Sequence, residues 1–220
     1  MDKITFSDWL YEAPLPDDWD DALFNERVPF AKRVRYAQER AKRAGSGSSR
    51  IAFVIPYEGR QTVLKVAKNA KGMAQNEVEA STLSDWYLQK LDLVIPIIDY
   101  DEANSKPTWI HTEFATKAKE SDFRKVTGAK SLRELIAYAE QQSGRSRHQT
   151  NYDYSHIDEE SDLVQALIDF VGNYTHMPTG DLTRLANWGI YDNRPVIIDV
   201  GLDNEVMSNH YTPKKPANFW

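Results

Sequence analysis

The sequence contains no cysteine among its 220 residues. Without thiols, the chain forms no disulfide bond, performs no thiolate catalysis and builds no zinc site of the cysteine type. It also lacks an apolar run of membrane-spanning length, and its N-terminus lacks the basic and apolar pattern of a signal peptide. These absences predict a cytoplasmic protein without membrane contact.

An excess of positive charge is also lacking, because 33 acidic residues outnumber 27 basic ones and give a net charge of −6. This balance argues against a general nucleic-acid-binding protein. The charges are uneven, since residues 1–26 hold eight acids against one lysine and residues 27–50 hold eight bases against one glutamate. The two blocks either neutralise each other or form separate solvated faces. Binding of an anionic ligand near the basic block is a further alternative.

A hydrophobic content of 41% is sufficient for a packed core. Residue periodicity predicts helices over residues 29–44, 71–90, 131–142 and 162–174, and strands over residues 51–56, 61–67, 93–100, 108–114 and 196–198. Residues 117–130 and 142–160 lack periodicity and are predicted to be loops. The aromatic residues of the acidic N-terminal arm, Trp9 and Trp19 among them, are expected to pack on the chain itself.

A glycine- and serine-rich loop lies between the first predicted helix and the first predicted strand. Gly45, Gly47 and Ser48 are small, so backbone N–H groups in this loop can approach a phosphate closely. A flexible linker is the alternative interpretation of this composition. In the next predicted strand, the side chain of Lys65 points away from its leucine and valine neighbours. A plain exposed lysine is the alternative there.

The helix predicted over residues 71–90 carries two glutamates suited to pairing with a strand lysine. Glu79 shares an apolar face with Leu83 and Trp86, so it is the first choice, and Glu77 is the second. The alternative is that both are solvent-facing acids.

Residues 180–202 carry three oxygen-bearing side chains around a short β-branched strand. That strand ends at Asp199, and Gly201 lets the backbone turn away after it. Asp181 and Asn187 precede the strand. Two carboxylates and an amide suit a hard cation and phosphate chemistry. An ordinary hairpin with polar turn residues is the alternative.

In these features the chain resembles the protein-kinase-like superfamily, in particular the compact, divergent members that some bacteriophages encode. Residues 181–187 are similar to the catalytic loop D-x-x-x-x-N, and residues 198–201 to the D-F-G turn. The sequence departs from the family pattern in several places, among them Thr179 for the histidine before the catalytic loop and Ala52 for the valine after the glycine-rich loop. Asn187 follows Asp181 by six residues instead of five, Gly180 replaces the arginine before Asp181, and Arg50 replaces the third loop glycine.

The resemblance implies an α+β, protein-kinase-like fold. Its expected parts are an N-terminal helical extension (1–44), a small antiparallel-sheet lobe with one helix (45–116) and a reduced, mostly helical large lobe (117–220). The family's first strand is expected to be missing, because a predicted helix leads into the glycine-rich loop. Only eighteen residues follow Leu202, so the activation segment and later helices of protein kinases are not expected.

The resemblance also implies roles for single residues. Asp181 would orient the acceptor hydroxyl, and Lys65 would hold the phosphates of ATP. Asn187 and Asp199 would bind Mg²⁺. The implied ATP-binding residues are Gly45, Gly47, Ser48, Lys65, Glu79 and, at a hinge whose backbone would contact adenine, Glu113 and Ala115.

These features and the resemblance lead to three alternative functions. The first is an ATP- and Mg²⁺-dependent phosphotransferase, for example a Ser/Thr kinase that acts on a host protein in the host cytoplasm. The second is a catalytically inactive kinase-like protein that binds and modulates a host or phage protein. The third is an interaction protein without a nucleotide site. The presence of Lys65, Asn187 and Asp199 favours the first over the third.

Overall fold

Alternating apolar residues and helical periodicities produce a mixed α/β architecture with antiparallel sheets. A computed structural model describes residues 15–16, 18–146 and 152–211. Its helices are α1 (Phe30–Arg40), α2 (Ala70–Leu83), α3 (Trp86–Lys90), α4 (Glu120–Thr127), α5 (Leu132–Gln142), α6 (Asp162–Asn173), α7 (Thr179–Leu182) and α8 (Asn204–His210). Its strands are β1 (Lys42–Ser46), β2 (Arg50–Tyr57), β3 (Arg60–Ala67), β4 (Ile97–Tyr100), β5 (Trp109–Glu113), β6 (Thr116–Lys117), β7 (Trp188–Tyr191) and β8 (Arg194–Ile197).

The chain forms two compact units. The first comprises residues 1–76 and 97–114, and the second comprises residues 77–96 and 115–220. Their boundaries fall inside α2 and directly after β5. The three-part division at residues 44 and 116 stays a prediction. None of the helices in the described ranges is long and apolar enough to cross a membrane.

The first unit is built on a five-stranded antiparallel sheet in the order β1-β2-β3-β5-β4. One face of this sheet is apolar because alternate residues of β2 and β3 point to it, and Phe53 and Leu64 are fully buried there. Helix α1 and the residues before it cover this face. Phe24 and Tyr36 belong to the same core, and Trp19 packs against both rings. Trp9 lies outside the described residues.

The strand expected to be missing is present, so that prediction was wrong. Helix α1 ends at Arg40, and the next residues form β1, which pairs with β2 from Lys42 opposite Val54 to Ser46 opposite Ile51. Residues 42–44 have good helix propensity, but pairing with β2 gives their backbone groups hydrogen-bond partners and overrides that preference.

Three other predicted elements differ from the structure. Of the strand predicted over residues 93–100, β4 contains only Ile97–Tyr100. The helix predicted over residues 71–90 is divided into α2 and α3, because the Asp85 carboxylate accepts hydrogen bonds from the N–H groups of Tyr87 and Leu88 and starts a new helix. Trp86, expected on the apolar face, is 72% exposed. Residues 117–130, predicted to be a loop, contain α4, whose start is fixed by a hydrogen bond from the Lys119 N–H to the Asp122 carboxylate.

The second unit packs α4, α5 and α6 together beside a three-stranded antiparallel sheet in the order β6-β7-β8. Trp188 of β7 is buried, and its ring meets that of Phe123 edge to face at 5.1 Å. The β7–β8 hairpin turns at Asp192 and Asn193, whose φ values of 48° and 62° suit these two residue types. This hairpin is the frame of the candidate site described below.

Asp85 gives the second unit a pH-dependent contact. The Tyr174 hydroxyl donates to its carboxylate at 2.7 Å, and this bond lowers the pKa of Asp85, against the opposing effect of burial. A carboxylate with a lowered folded-state pKa contributes stability above its unfolded pKa of about 4 and loses that contribution as the pH falls through the folded value.

We therefore expect Asp85→Asn to unfold more easily than the wild type at pH 7, by about 1 kcal/mol after solvent screening. The gap should begin to narrow near pH 4 and should close as the pH falls through the lowered pKa of the folded state, where the wild-type carboxyl group becomes protonated. Urea unfolding of both proteins between pH 7 and pH 3 measures this difference. A gap that does not change with pH would contradict the role of the charge.

Candidate functional site

Lys65 lies on the face of the first unit's sheet that α1 does not cover. Its neighbours Leu64 and Val66 are completely buried on the opposite face, whereas Lys65 is half-buried. Its cross-strand neighbours are Ala52 on β2 and Ile110 on β5. The lysine therefore stands near the centre of the sheet, on the side away from the α1 core.

The glycine- and serine-rich loop is the turn between β1 and β2. The Gly47 N–H donates to the Arg50 carbonyl at 3.0 Å and closes this turn. A Cβ atom at Gly45 would meet no neighbouring atom within 4 Å, and Ser48 is exposed. The loop surface is therefore open on the side of these residues.

Two residues directly after β3 hold this loop. The Lys68 ammonium group donates to the Gly47 carbonyl at 2.5 Å and to the Ser46 hydroxyl at 3.2 Å. The Asn69 side-chain amide donates to the Ser48 carbonyl at 3.2 Å. Sequence reasoning missed both residues, because no motif marks them, and their position at the end of β3 is the only available signal.

The base of the loop is joined to the first half of α2. The Ser49 hydroxyl bonds to the Gln75 side chain, and the Arg50 guanidinium donates to the side-chain amide oxygen of Asn76 at 3.4 Å. Asn76 in turn donates to the Pro107 carbonyl at 3.1 Å. Arg50, which replaces the third family glycine, thus has a structural role at the base of the loop.

The predicted hinge residues lie at the end of the first unit and the start of the second. Glu113 ends β5, and its carboxylate forms an ion pair with Arg60 at 2.9 Å. Its backbone is paired with Thr62 of β3. Ala115 begins the second unit, just before β6. Adenine recognition by these backbones stays a prediction.

The two candidate glutamates of α2 differ in burial. Glu79 is completely buried within the described residues, whereas Glu77 is exposed. Both belong to the second unit, and Lys65 belongs to the first. Because Glu79 is buried and Glu77 is exposed, Glu79 is the stronger candidate for the partner of Lys65. The pairing itself stays a prediction.

The Asp181–Asn187 segment forms two short helical turns. Asp181 lies in α7, and a 3-10 turn over Leu185–Asn187 follows. The Asn187 side-chain amide donates to the Asp181 carbonyl at 3.0 Å, and the Arg184 N–H donates to the same oxygen at 3.2 Å. The interval of six residues is therefore accommodated by helical turns, with Asn187 bonded back to Asp181.

The β7–β8 hairpin brings Asp199 to the same region. The Ile198 N–H donates to the Asn187 carbonyl at 2.8 Å, so the residues flanking the hairpin are joined at its base. Asp181 and Asp199 both line one cavity of about 10 Å³, whose other walls include Met177. That volume holds about one water-sized sphere. The hairpin thus brings the two acids and Asn187 together.

The Asp181 carboxylate has a cationic neighbour. The Arg184 guanidinium lies 3.4 Å from it, and the Arg184 side chain is 67% exposed, so we expect this ion pair to contribute little stability. In the described ranges, no group of three or more histidine, aspartate or glutamate side chains is placed to hold a metal ion. The binding of a cation by Asp181, Asn187 or Asp199 therefore stays a prediction.

Arg145 supports the segment that leads to Asp181. Its guanidinium donates to the Thr175 carbonyl at 2.8 Å and to the Met177 carbonyl at 2.6 Å. It also reaches the Val171 carbonyl at 3.2 Å, beside the end of α6. Sequence reasoning missed Arg145 because it lies in a polar stretch predicted to be a loop.

We expect Arg145→Ala to lower the free energy of unfolding by about 1–2 kcal/mol, because several carbonyl groups lose a charged donor. Arg145→Lys should recover little, since an ammonium group cannot reproduce the guanidinium fork. Urea unfolding measures the loss, and hydrogen exchange at Asp181 measures the local effect. The control is Arg133→Ala, an exposed arginine on α5. Equal behaviour of the control would contradict the supporting role.

No family model matches the chain, and no curated protein matches it. Among solved structures, the chain is similar to a crystal structure from Haemophilus somnus 129PT, provisionally described as a fructosamine-3-kinase. The two chains are 11% identical, with a TM-score of 0.33, and the match covers 73% of this chain and 65% of that one. The chain thus spans less than two thirds of that protein. A similarity this low leaves fold family and function to be argued from the chain's own residues.

Proposed function

We propose that the chain is an ATP- and Mg²⁺-dependent phosphotransferase with a protein-kinase-like fold. The main observation is the arrangement around the β7–β8 hairpin, which Asn187 precedes and Asp199 follows. Asn187 is bonded to the Asp181 backbone, and both acids line one cavity. A catalytic loop, a hairpin and a metal-binding turn in this order are what the resemblance implies.

The sheet of the first unit supports the same proposal. It has five antiparallel strands, and the small-residue loop joins the first two of them. Lys65 stands on the third strand, on the face away from the apolar core. The family's first strand was expected to be missing from this chain, and the presence of β1 removes that departure from the family pattern. Loop N–H groups and the Lys65 ammonium group would bind phosphate oxygens on this unit.

The donor set of the second unit suits Mg²⁺. This cation is usually held by one or two carboxylates, while phosphate and water oxygens complete its octahedron. Asp199 and the Asn187 amide would hold it, and it would neutralise charge on the phosphates. Asp181 would accept a hydrogen bond from the acceptor hydroxyl and orient its oxygen towards the terminal phosphorus of ATP. Catalysis would then be positioning and charge stabilisation.

The alternative is a kinase-like protein that binds and modulates a partner protein without phosphoryl transfer. The contact between Arg184 and the Asp181 carboxylate favours it, because a paired carboxylate is a poorer hydrogen-bond acceptor for a hydroxyl group. The interval of six residues also favours it, since a displacement of 1 Å can lower a rate by about a hundredfold. A host or phage protein as the partner is part of this proposal.

Thermal unfolding with and without Mg²⁺ and ATP tests the proposal, together with a transfer assay that uses labelled ATP. A midpoint shift accompanied by label transfer to the chain or to an added protein supports the phosphotransferase. A shift without transfer supports the inactive binding protein. No shift at millimolar ATP would contradict both and leave an interaction protein without a nucleotide site.

A further inference from the structure

A second cavity lies within the first unit, between α1 and the start of the sheet, and its volume is about 350 Å³. Its lining comprises residues of α1, β1 and β2 and the residue after β3: Phe30, Ala31, Val34, Gln38, Arg43, Ser46, Ile51 and Lys68. Ile51 points to the α1-covered face of the sheet, whereas Lys65 points to the other. This cavity is therefore distinct from the phosphate-binding face proposed above.

One side of the cavity is apolar and the other is cationic. Phe30, Val34 and Ile51 provide the apolar wall, whereas Arg43 and Lys68 provide positive charge. Within the part of the chain that the structure describes, no carboxylate forms an ion pair with either cation. The cavity lies in the basic block, where eight bases accompany one acid between residues 27 and 50. Such a block attracts anions to its surface.

Lys68 connects this cavity to the glycine- and serine-rich loop. The acceptors of its ammonium group there are the neutral Gly47 carbonyl and Ser46 hydroxyl. A phosphate or carboxylate oxygen attracts the ammonium group more strongly than these neutral oxygens do, because it carries a negative charge. An anion in the cavity would therefore compete with Gly47 for Lys68.

We propose that this cavity binds a small ligand with an anionic head, a phosphate or a carboxylate, on an aromatic or aliphatic body. The head contacts Arg43 and Lys68, and the body packs on Phe30, Val34 and Ile51. The volume is at the low end of small-molecule sites, which favours a small occupant. Binding takes Lys68 from the Gly47 carbonyl and loosens the loop. This inference does not depend on phosphotransferase activity.

The test is an NMR titration of the full chain with phenyl phosphate, followed through backbone amides. We expect saturable shifts at Ser46 and Ile51, and a shift at Gly47 that reports the release of Lys68. Inorganic phosphate and benzyl alcohol should each bind more weakly than phenyl phosphate. Benzoate in a parallel titration distinguishes a carboxylate site from a phosphate site.

Arg43→Gln and Lys68→Gln should each weaken phenyl phosphate binding about tenfold, because one charged hydrogen bond is lost. The control is Lys32→Gln, which removes the same charge from an exposed position on α1 outside the cavity and should change affinity less than twofold. Linear, unsaturated shifts in the wild type would overturn the proposal. An equal loss of affinity in the control would also overturn it, because that result indicates general charge attraction.

Discussion

Asp199→Asn is expected to abolish the stabilisation that Mg²⁺ and ATP give to the wild-type chain. A ligand at a hundred times its dissociation constant raises the free energy of unfolding by about 2.7 kcal/mol. Asparagine keeps the size of the side chain but removes the charge that a divalent cation requires. The unliganded variant should unfold close to the wild type, because Asp199 is exposed. Thermal unfolding with and without the ligand measures both effects.

Asp192→Asn is the matched control for this experiment. It makes the same chemical change in the turn of the hairpin that Asp199 follows, at an exposed residue with a positive φ that asparagine adopts readily. The control should keep the full ligand-induced shift. If Asp199→Asn also keeps it, the metal-binding role of Asp199 is wrong. If both variants lose it, the hairpin conformation is responsible and the charge is not.

Local sequence patterns were sufficient for the three central strands of the first unit's sheet, β2, β3 and β5. Leu64 and Val66 alternate with Lys65, and this period of two predicts a strand with one apolar face, which β3 has. The same local reasoning failed for residues 42–44, because their partners lie ten or more residues away on β2. Helix propensity carries no information about pairing with a distant segment, so residues 42–44 of β1 were predicted to be helix.

The site shows the same limit. Asp181, Asn187 and Asp199 could be selected from the sequence because their spacing and flanking residues form a pattern. Arg145 and Lys68 could not be selected in this way. Each donates to backbone carbonyl groups, which any residue type supplies. Supporting contacts of this kind depend on where the backbone passes. They become visible only when the fold is known.

Gly72 is the position where one added methyl group should have the largest effect on the loop. A Cβ atom there would lie 2.2 Å from the Ser49 carbonyl oxygen and 3.1 Å from the Ala67 Cα atom. Both are backbone atoms, and the Ser49 carbonyl already accepts a hydrogen bond from the Lys68 N–H at 2.7 Å. The clash can therefore be relieved only by moving the base of the loop or the start of α2.

We expect Gly72→Ala to lower the free energy of unfolding by about 2–3 kcal/mol, although alanine favours a helix over glycine by about 1 kcal/mol. Urea unfolding measures this loss. Gly45→Ala is the control, because a Cβ atom at Gly45 meets nothing within 4 Å, and its effect should stay below about 1 kcal/mol. A Gly72→Ala protein as stable as the wild type would mean that α2 and the loop are not in contact at Ser49. The interpretation that Lys68 and Arg50 fix the base of the loop would then be wrong.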